Sequence, residues 1–178
     1  MHRRTAPATR LGAALATAVA VGSLGLVAPA EAAPAFGTDP VVVEKPRAKV
    51  AKVVDLRWAE HPTFDRVVVD LRGRRSPGYH ASHVRTLVRD GSGETVRIRG
   101  RHKFQLVLRP ARTFDHKGHS LYEGPRHRKI GLPTLRAMTF MSDFEGDVVF
   151  GFGVRSKPFR VFTLSRPSRV VLDFKHPQ

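Results

Sequence analysis

Cysteine is missing from all 178 residues. That absence excludes a disulfide framework, a thiolate metal site, thiol catalysis and a lipid-bearing cysteine near the N-terminus. Acidic side chains are scarce as well. Asp and Glu number 15 against 31 Lys and Arg, and the formal charge is +16. A field of that sign attracts polyanions and makes binding to them strongly salt-dependent. Aromatics other than phenylalanine are few, with one tryptophan and two tyrosines. Past the N-terminal region no apolar 3.6-residue period lasts three turns, which argues against amphipathic helices. No Gly-x-Ser-x-Gly elbow or other nucleophile signature occurs, so enzymatic activity is not expected.

The first 32 residues read as a signal peptide. Arg3, Arg4 and Arg10 form a basic start, residues 11–27 are apolar and small, and Ala28-Pro-Ala30 and Ala30-Glu-Ala32 offer small-x-small cleavage sites. Cleavage near Ala32 or Ala33 is expected, by the general export pathway, because Arg3-Arg4 lacks the following hydrophobic residue of a twin-arginine signal. Retention of the run as a membrane anchor is the alternative. Cleavage removes three arginines and one glutamate, leaving 28 basic and 14 acidic side chains, or +14. Residues 33–49, with Pro34, Pro40 and Pro46, read as a flexible spacer.

Residues 50–178 read as an all-β domain, a β-sandwich of two small antiparallel sheets. Its clearest stretch is the last. In Arg169-Val-Val-Leu-Asp-Phe174, Val170, Leu172 and Phe174 point one way and Arg169, Val171 and Asp173 the other. Arg166-Pro-Ser168 joins it to residues 159–165 as a hairpin. Arg66-Val-Val-Val-Asp-Leu71 has the same pattern, with Val54, Leu56 and Trp58 supplying its partner strand. The apolar faces of these two hairpins are expected to cover each other. Between them, strands are expected at 79–84, 95–99, 104–109, 135–140 and 147–154, with Asp90-Gly-Ser-Gly93 as a turn. Residues 111–133 keep no period of either kind and read as one long loop.

Five pieces resemble, in order, the AMIN-like domain of secreted and lipid-anchored actinobacterial proteins, a relative of the AMIN domains of cell-wall amidases and secretins. They are Phe64-Asp-Arg-Val-Val-Val69, Asp90-Gly-Ser-Gly-Glu94, Tyr122-Glu-Gly-Pro125, Asp143-Phe-Glu-Gly146 and Pro158-Phe-Arg-Val-Phe-Thr-Leu164. The resemblance runs from about Val53 to Phe174 and implies a two-sheet sandwich in the cell envelope. It brings no catalytic residues and no cofactor, and this chain lacks the lipid-attachment cysteine of the anchored relatives.

Arg97, Arg99 and Arg101 alternate with Val96, Ile98 and Gly100, so a strand would set three guanidinium groups in a row suited to phosphates or carboxylates. Arg85, Arg89 and Lys103 lie nearby. A solvated face kept soluble by charge explains the same row. In the loop, His116-x-x-His119 with Asp115 and His127 has the ligand types for a metal such as zinc, with Arg126 beside them; solvated loop histidines are the plainer reading. Trp58 suits either a core rim or stacking on a sugar. Asp143, Glu145 and Asp147 around Gly146 have the look of a carboxylate pair, but also of a tight polar turn. The reading that follows is a secreted, non-catalytic module that binds a wall polyanion, peptidoglycan or a wall enzyme. Its alternatives are an extracellular nucleic-acid or polyanion binder and a metal-dependent hydrolase.

Overall fold

The computed structural model describes residues 33–178, and the residues read as a signal peptide lie outside them. The described residues contain no helix, hence none long and apolar enough to cross a membrane. Their strands are β1 (Val41–Val43), β2 (Ala51–Glu60), β3 (Phe64–Arg72), β4 (Gly78–Val84), β5 (Leu87–Val88), β6 (Thr95–Val96) and β7 (His102–Arg109). They continue with β8 (Ala111–Arg112), β9 (His127–Lys129), β10 (Leu135–Phe144), β11 (Asp147–Val154), β12 (Phe159–Leu164) and β13 (Arg169–Lys175). One sheet has the order β1-β4-β7-β11-β10-β9, a second β12-β13-β3-β2-β8, and β5-β6 form a separate ribbon. All pairs are antiparallel except β2 with β8.

Alternation along the strands builds the core. Phe104, Leu106 and Leu108 of β7 are fully buried and meet Val67, Val69, Leu71, Val170, Leu172 and Phe174 of the other sheet in one cluster. Phe104 anchors it, edge-on to Phe159 at 4.6 Å and to Phe174 at 5.1 Å between ring centroids. A fully buried leucine or phenylalanine is worth about 1.5–3 kcal/mol. This layer is therefore what holds the two sheets together.

Both predicted hairpins form, but they do not cover each other. Strands β3 and β13 pair side by side in one sheet, with Arg66 opposite Asp173 and Asp70 opposite Arg169. The physical reason is the repeated Arg–x3–Asp pattern. Run antiparallel, two copies put each arginine across from the other copy's aspartate. Asp173 is wholly buried and accepts from Arg66 Nε and Nη2 at 2.7 and 2.8 Å and from Arg160 Nε at 2.7 Å. Phe36 and Phe64 stack on the two guanidinium groups, Arg160 lying 4.4 Å from the Phe36 centroid and Arg66 5.1 Å from that of Phe64.

Two stretches are more ordered than the sequence suggests. The segment read as a spacer supplies β1, whose Val41 and Val43 pack on the core opposite Ala81 and Tyr79 of β4. Its Gly37 exchanges two backbone hydrogen bonds with Phe159, at 2.9 and 2.8 Å. Three β-branched valines next to an open sheet edge add a strand at little entropic cost. The 111–133 loop likewise begins in β8 and carries β9. Its Tyr122 is buried against Phe140 and Phe150, and the Tyr122 hydroxyl donates to the Pro125 carbonyl at 2.8 Å.

Candidate anion-binding surface

The outer face of the six-stranded sheet carries apolar side chains that a solvated face would not: Val107, Met141 and Val149. The excursion between β4 and β7 covers them. Leu87 of β5 is buried there, with Val96 and Ile98 packed beside it. Two glycines of β11 make room. A Cβ on Gly151 would stand 2.8 Å from Leu87 Cδ1, and one on Gly153 would stand 1.7 Å from the Arg99 carbonyl oxygen. Gly100 has φ +131°, and a Cβ there would lie 2.3 Å from the Gly153 carbonyl carbon. Backbone thus lies directly on backbone, which only glycine allows.

This contact corrects the expected arginine row. The strand stops at Val96, because β6 spans only Thr95–Val96 and residues 97–101 follow the Gly100–Gly153 contact instead of a ladder. Arg97, Arg99 and Arg101 are all exposed while Ile98 turns inward, so the alternation survives without the strand. They do not serve one surface. Arg97 faces a groove beside β9, and Arg101 lines a cleft at the other end of the segment together with Arg85.

The groove has a volume of about 660 Å³ and lies between the β5-β6 ribbon and the edge strand β9. Arg89, Glu94 and Arg97 form one wall, Arg126 and His127 the other, and Thr139, Phe140 and Met141 of β10 the floor. Backbone pairing knits the second wall to the floor: His127 is opposite Thr139, and the Phe140 amide donates to the Arg126 carbonyl at 2.7 Å. A bulge between Phe140 and Ser142 brings Phe140 and Met141 both to the groove. The ribbon is tied down through its turn, where the Ser142 hydroxyl donates to Asp90.

The charges in the groove are unevenly used. Arg89 donates to the Met141 carbonyl at 3.4 Å and lies 3.7 Å from Glu94. Among the described residues, Arg97 and Arg126 make no ion pair. The Arg126 guanidinium lies 5.0 Å from the Phe140 centroid, a cation–π contact that leaves its N–H donors available. Two segments some thirty residues apart in sequence therefore deliver free guanidinium groups to one groove.

The histidines are dispersed. His119 Nδ1 lies 3.2 Å from Asp115 Oδ2, in a turn where Asp115 also accepts from the Lys117 and His119 amides at 2.8 and 3.0 Å. Burial alone would raise the Asp115 carboxyl, but the hydrogen bonds from the His119 and Lys117 amides and from the His119 ring together hold it below the usual range. His116 lines a different concavity with Arg75 and Arg112, and His127 lines the groove. Among the described residues no three His, Asp or Glu side chains converge as metal ligands would. The acidic cluster forms a turn: Glu145 (φ +51°) and Gly146 (φ +86°) join β10 to β11. Asp143 accepts the Thr113 amide at 2.6 Å and Asp147 pairs with Arg109. Trp58 is half-buried and packs on the core.

The groove and the satellite apolar cluster escaped sequence reading, although Gly151-x-Gly153 inside a strand was a readable sign of close backbone approach. In comparisons with known proteins, no curated protein and no solved structure matches this chain. A family match is found over residues 51–176, to the AMIN-like domain, whose members are in general non-catalytic, cell-wall-associated binding modules. That span opens with β2 and closes just past β13, taking in most of both sheets, and the chain belongs to the AMIN-like domain family.

Proposed function

We propose that this protein is a secreted, non-catalytic module that holds an anionic polymer of the cell wall in the groove between the β5-β6 ribbon and β9. The observation that carries the reading is the convergence of Arg97 and Arg126, both without ion-pair partners among the described residues, with Arg89 and His127 on one concave surface. Guanidinium groups there meet phosphate or carboxylate oxygens by charge-assisted hydrogen bonds, and the polymer's counterions are released. The family's envelope context supports a wall partner. Peptidoglycan itself, or a wall enzyme, is the next candidate.

Co-sedimentation of the purified protein with wall sacculi, intact and stripped of anionic polymers, tests this across a salt series. Retention is expected on intact sacculi only. With three or four anionic contacts, affinity should fall roughly 20- to 50-fold over about a fourfold rise in salt. Arg97→Gln combined with Arg126→Gln should abolish most of it. Equal retention on stripped sacculi, or none on either, defeats the proposal. DNA at matched salt is the control for an extracellular nucleic-acid binder: tighter retention there than on phosphate-bearing wall fragments would favour that alternative.

A further inference from the structure

At the far end of the arginine segment, six basic side chains surround a cleft of about 310 Å³: His83, Arg85, Arg101, His102, Lys103 and Lys157. Val84 is the only other lining residue, and no carboxylate is present. The cleft sits where β4 ends beside the start of β7, with Val84 opposite Lys103, and where the β11–β12 connection passes over them.

Two of these side chains are fixed by backbone. Lys103 Nζ donates to the carbonyls of Ile98 and Gly100 at 2.9 and 2.7 Å, which leaves one ammonium hydrogen for a ligand. The His83 ring lies between the carbonyls of Lys103 and Lys157, at 3.3 and 2.8 Å, and packs edge-on against Phe104 at 5.0 Å. The Lys157 turn is thereby tied to the cleft. Arg85, Arg101 and Lys157 make no ion pair among the described residues, whereas Arg57, Arg66, Arg109 and Arg160 are each matched to an aspartate. The cleft thus gathers positive charge that the chain has not neutralised.

We propose that this cleft is a discrete site for a phosphate monoester, taken up as the dianion and bound independently of the groove lined by Arg97 and Arg126. Several cations approaching from different directions suit a tetrahedral oxyanion better than a planar carboxylate, and the arginine forks supply paired donors. The space exceeds a phosphoryl group alone and admits part of the attached alcohol. His102 gives an internal probe. Burial first, then the charges of Lys157, Arg101, His83 and Lys103, holds its imidazole below the ordinary histidine range. A dianion seated there would cancel that repulsion and raise the value again.

The test is an NMR titration of the full chain at fixed ionic strength, following His102 and the backbone amides with inorganic phosphate, methyl phosphate, dimethyl phosphate and acetate as probes. Inorganic and methyl phosphate should give saturable shifts confined to the cleft and move the His102 titration upward. Dimethyl phosphate and acetate should bind about tenfold more weakly or worse, having lost one negative charge each. Arg101→Gln with Lys157→Gln, both exposed positions, should weaken methyl phosphate by about tenfold or more, and Arg85→Gln alone should weaken it less. Arg97→Gln should leave it unchanged, which separates this site from the groove. Shifts that never saturate, that spread over the whole basic surface, or that persist in the double variant would overturn the proposal. Equal binding of dimethyl phosphate would refute the monoester assignment.

Discussion

Replacing Gly153 with alanine drives a methyl carbon against the backbone of the arginine segment. The new Cβ would stand 1.7 Å from the Arg99 carbonyl oxygen and 2.7 Å from its carbon, and contacts under 3.0 Å do not occur. Residues 99–100 must then withdraw by at least about 1.3 Å, and β11, paired on both sides with β7 and β10, cannot yield instead. Overpacking of this kind costs about 1–3 kcal/mol. Lifting the segment also uncovers part of Ile98, Val96 and Leu87, each buried methylene being worth about 0.8 kcal/mol. A total of about 2–4 kcal/mol follows, or a fall in Tm of roughly 6–15 °C for a domain this size. Urea denaturation and calorimetry measure it. The control is Gly146→Ala, where φ is +86° and nothing lies within 4 Å, so only the left-handed backbone costs, about 1–2 kcal/mol. Because the moved segment carries Arg97 and Arg101, Gly153→Ala should also weaken anion binding while Gly146→Ala should not. If Gly153→Ala were no worse than Gly146→Ala in both assays, the claim that the excursion rests on β11 would be refuted.

Asp173→Asn removes a wholly buried charge shared by Arg66 and Arg160, leaving two half-buried guanidinium groups uncompensated; a loss of about 3–5 kcal/mol is expected by urea denaturation. Breaking the more exposed Arg57–Asp70 pair by Arg57→Gln should cost under about 1 kcal/mol in the same assay. Tyr122→Phe deletes the hydroxyl that donates to Pro125 and leaves that carbonyl short of a partner, for about 1–2 kcal/mol. Burial pushes the Tyr122 phenol well above the ordinary tyrosine range, with Asp55 adding to the effect, and burial raises Tyr79 too. The folded state therefore favours the protonated phenols. That stability is complete below a pH of about 10 and is lost as pH rises beyond it, so the phenolate absorbance of the native protein should appear only on unfolding. A normal phenolate step near the unperturbed value in the native protein would contradict the burial of both tyrosines.

Local alternation made the strand content legible. Phenylalanines, leucines and valines at every second position of β7, β12 and β13 can bury one face only as strands, and Glu145-Gly146 can only be a turn once two such runs flank it. The near-copy Arg–x3–Asp in β3 and β13 was visible as well, and so were the basic candidates at 85–101 and 126–127. Pairing was not legible, because it depends on contacts between residues far apart in the chain. Arg66 and Asp173 are 107 positions apart, and only the completed sheet shows that they are cross-strand neighbours. For the same reason β1 hid inside an apparent spacer: three valines form a strand only where β4 offers an open edge.

The residue types and their period of two determined by themselves that this chain is an all-β domain with a large positive charge and arginines set outward. Tertiary structure alone decided how that charge is divided. Gly100 on Gly153 bends the arginine segment off any ladder, sends Arg97 toward Arg126 and Arg101 toward Lys157, and so makes two basic depressions from one run of sequence. The cause is steric: two backbones approach that closely only where both lack a Cβ, and no local pattern says which glycine will meet which.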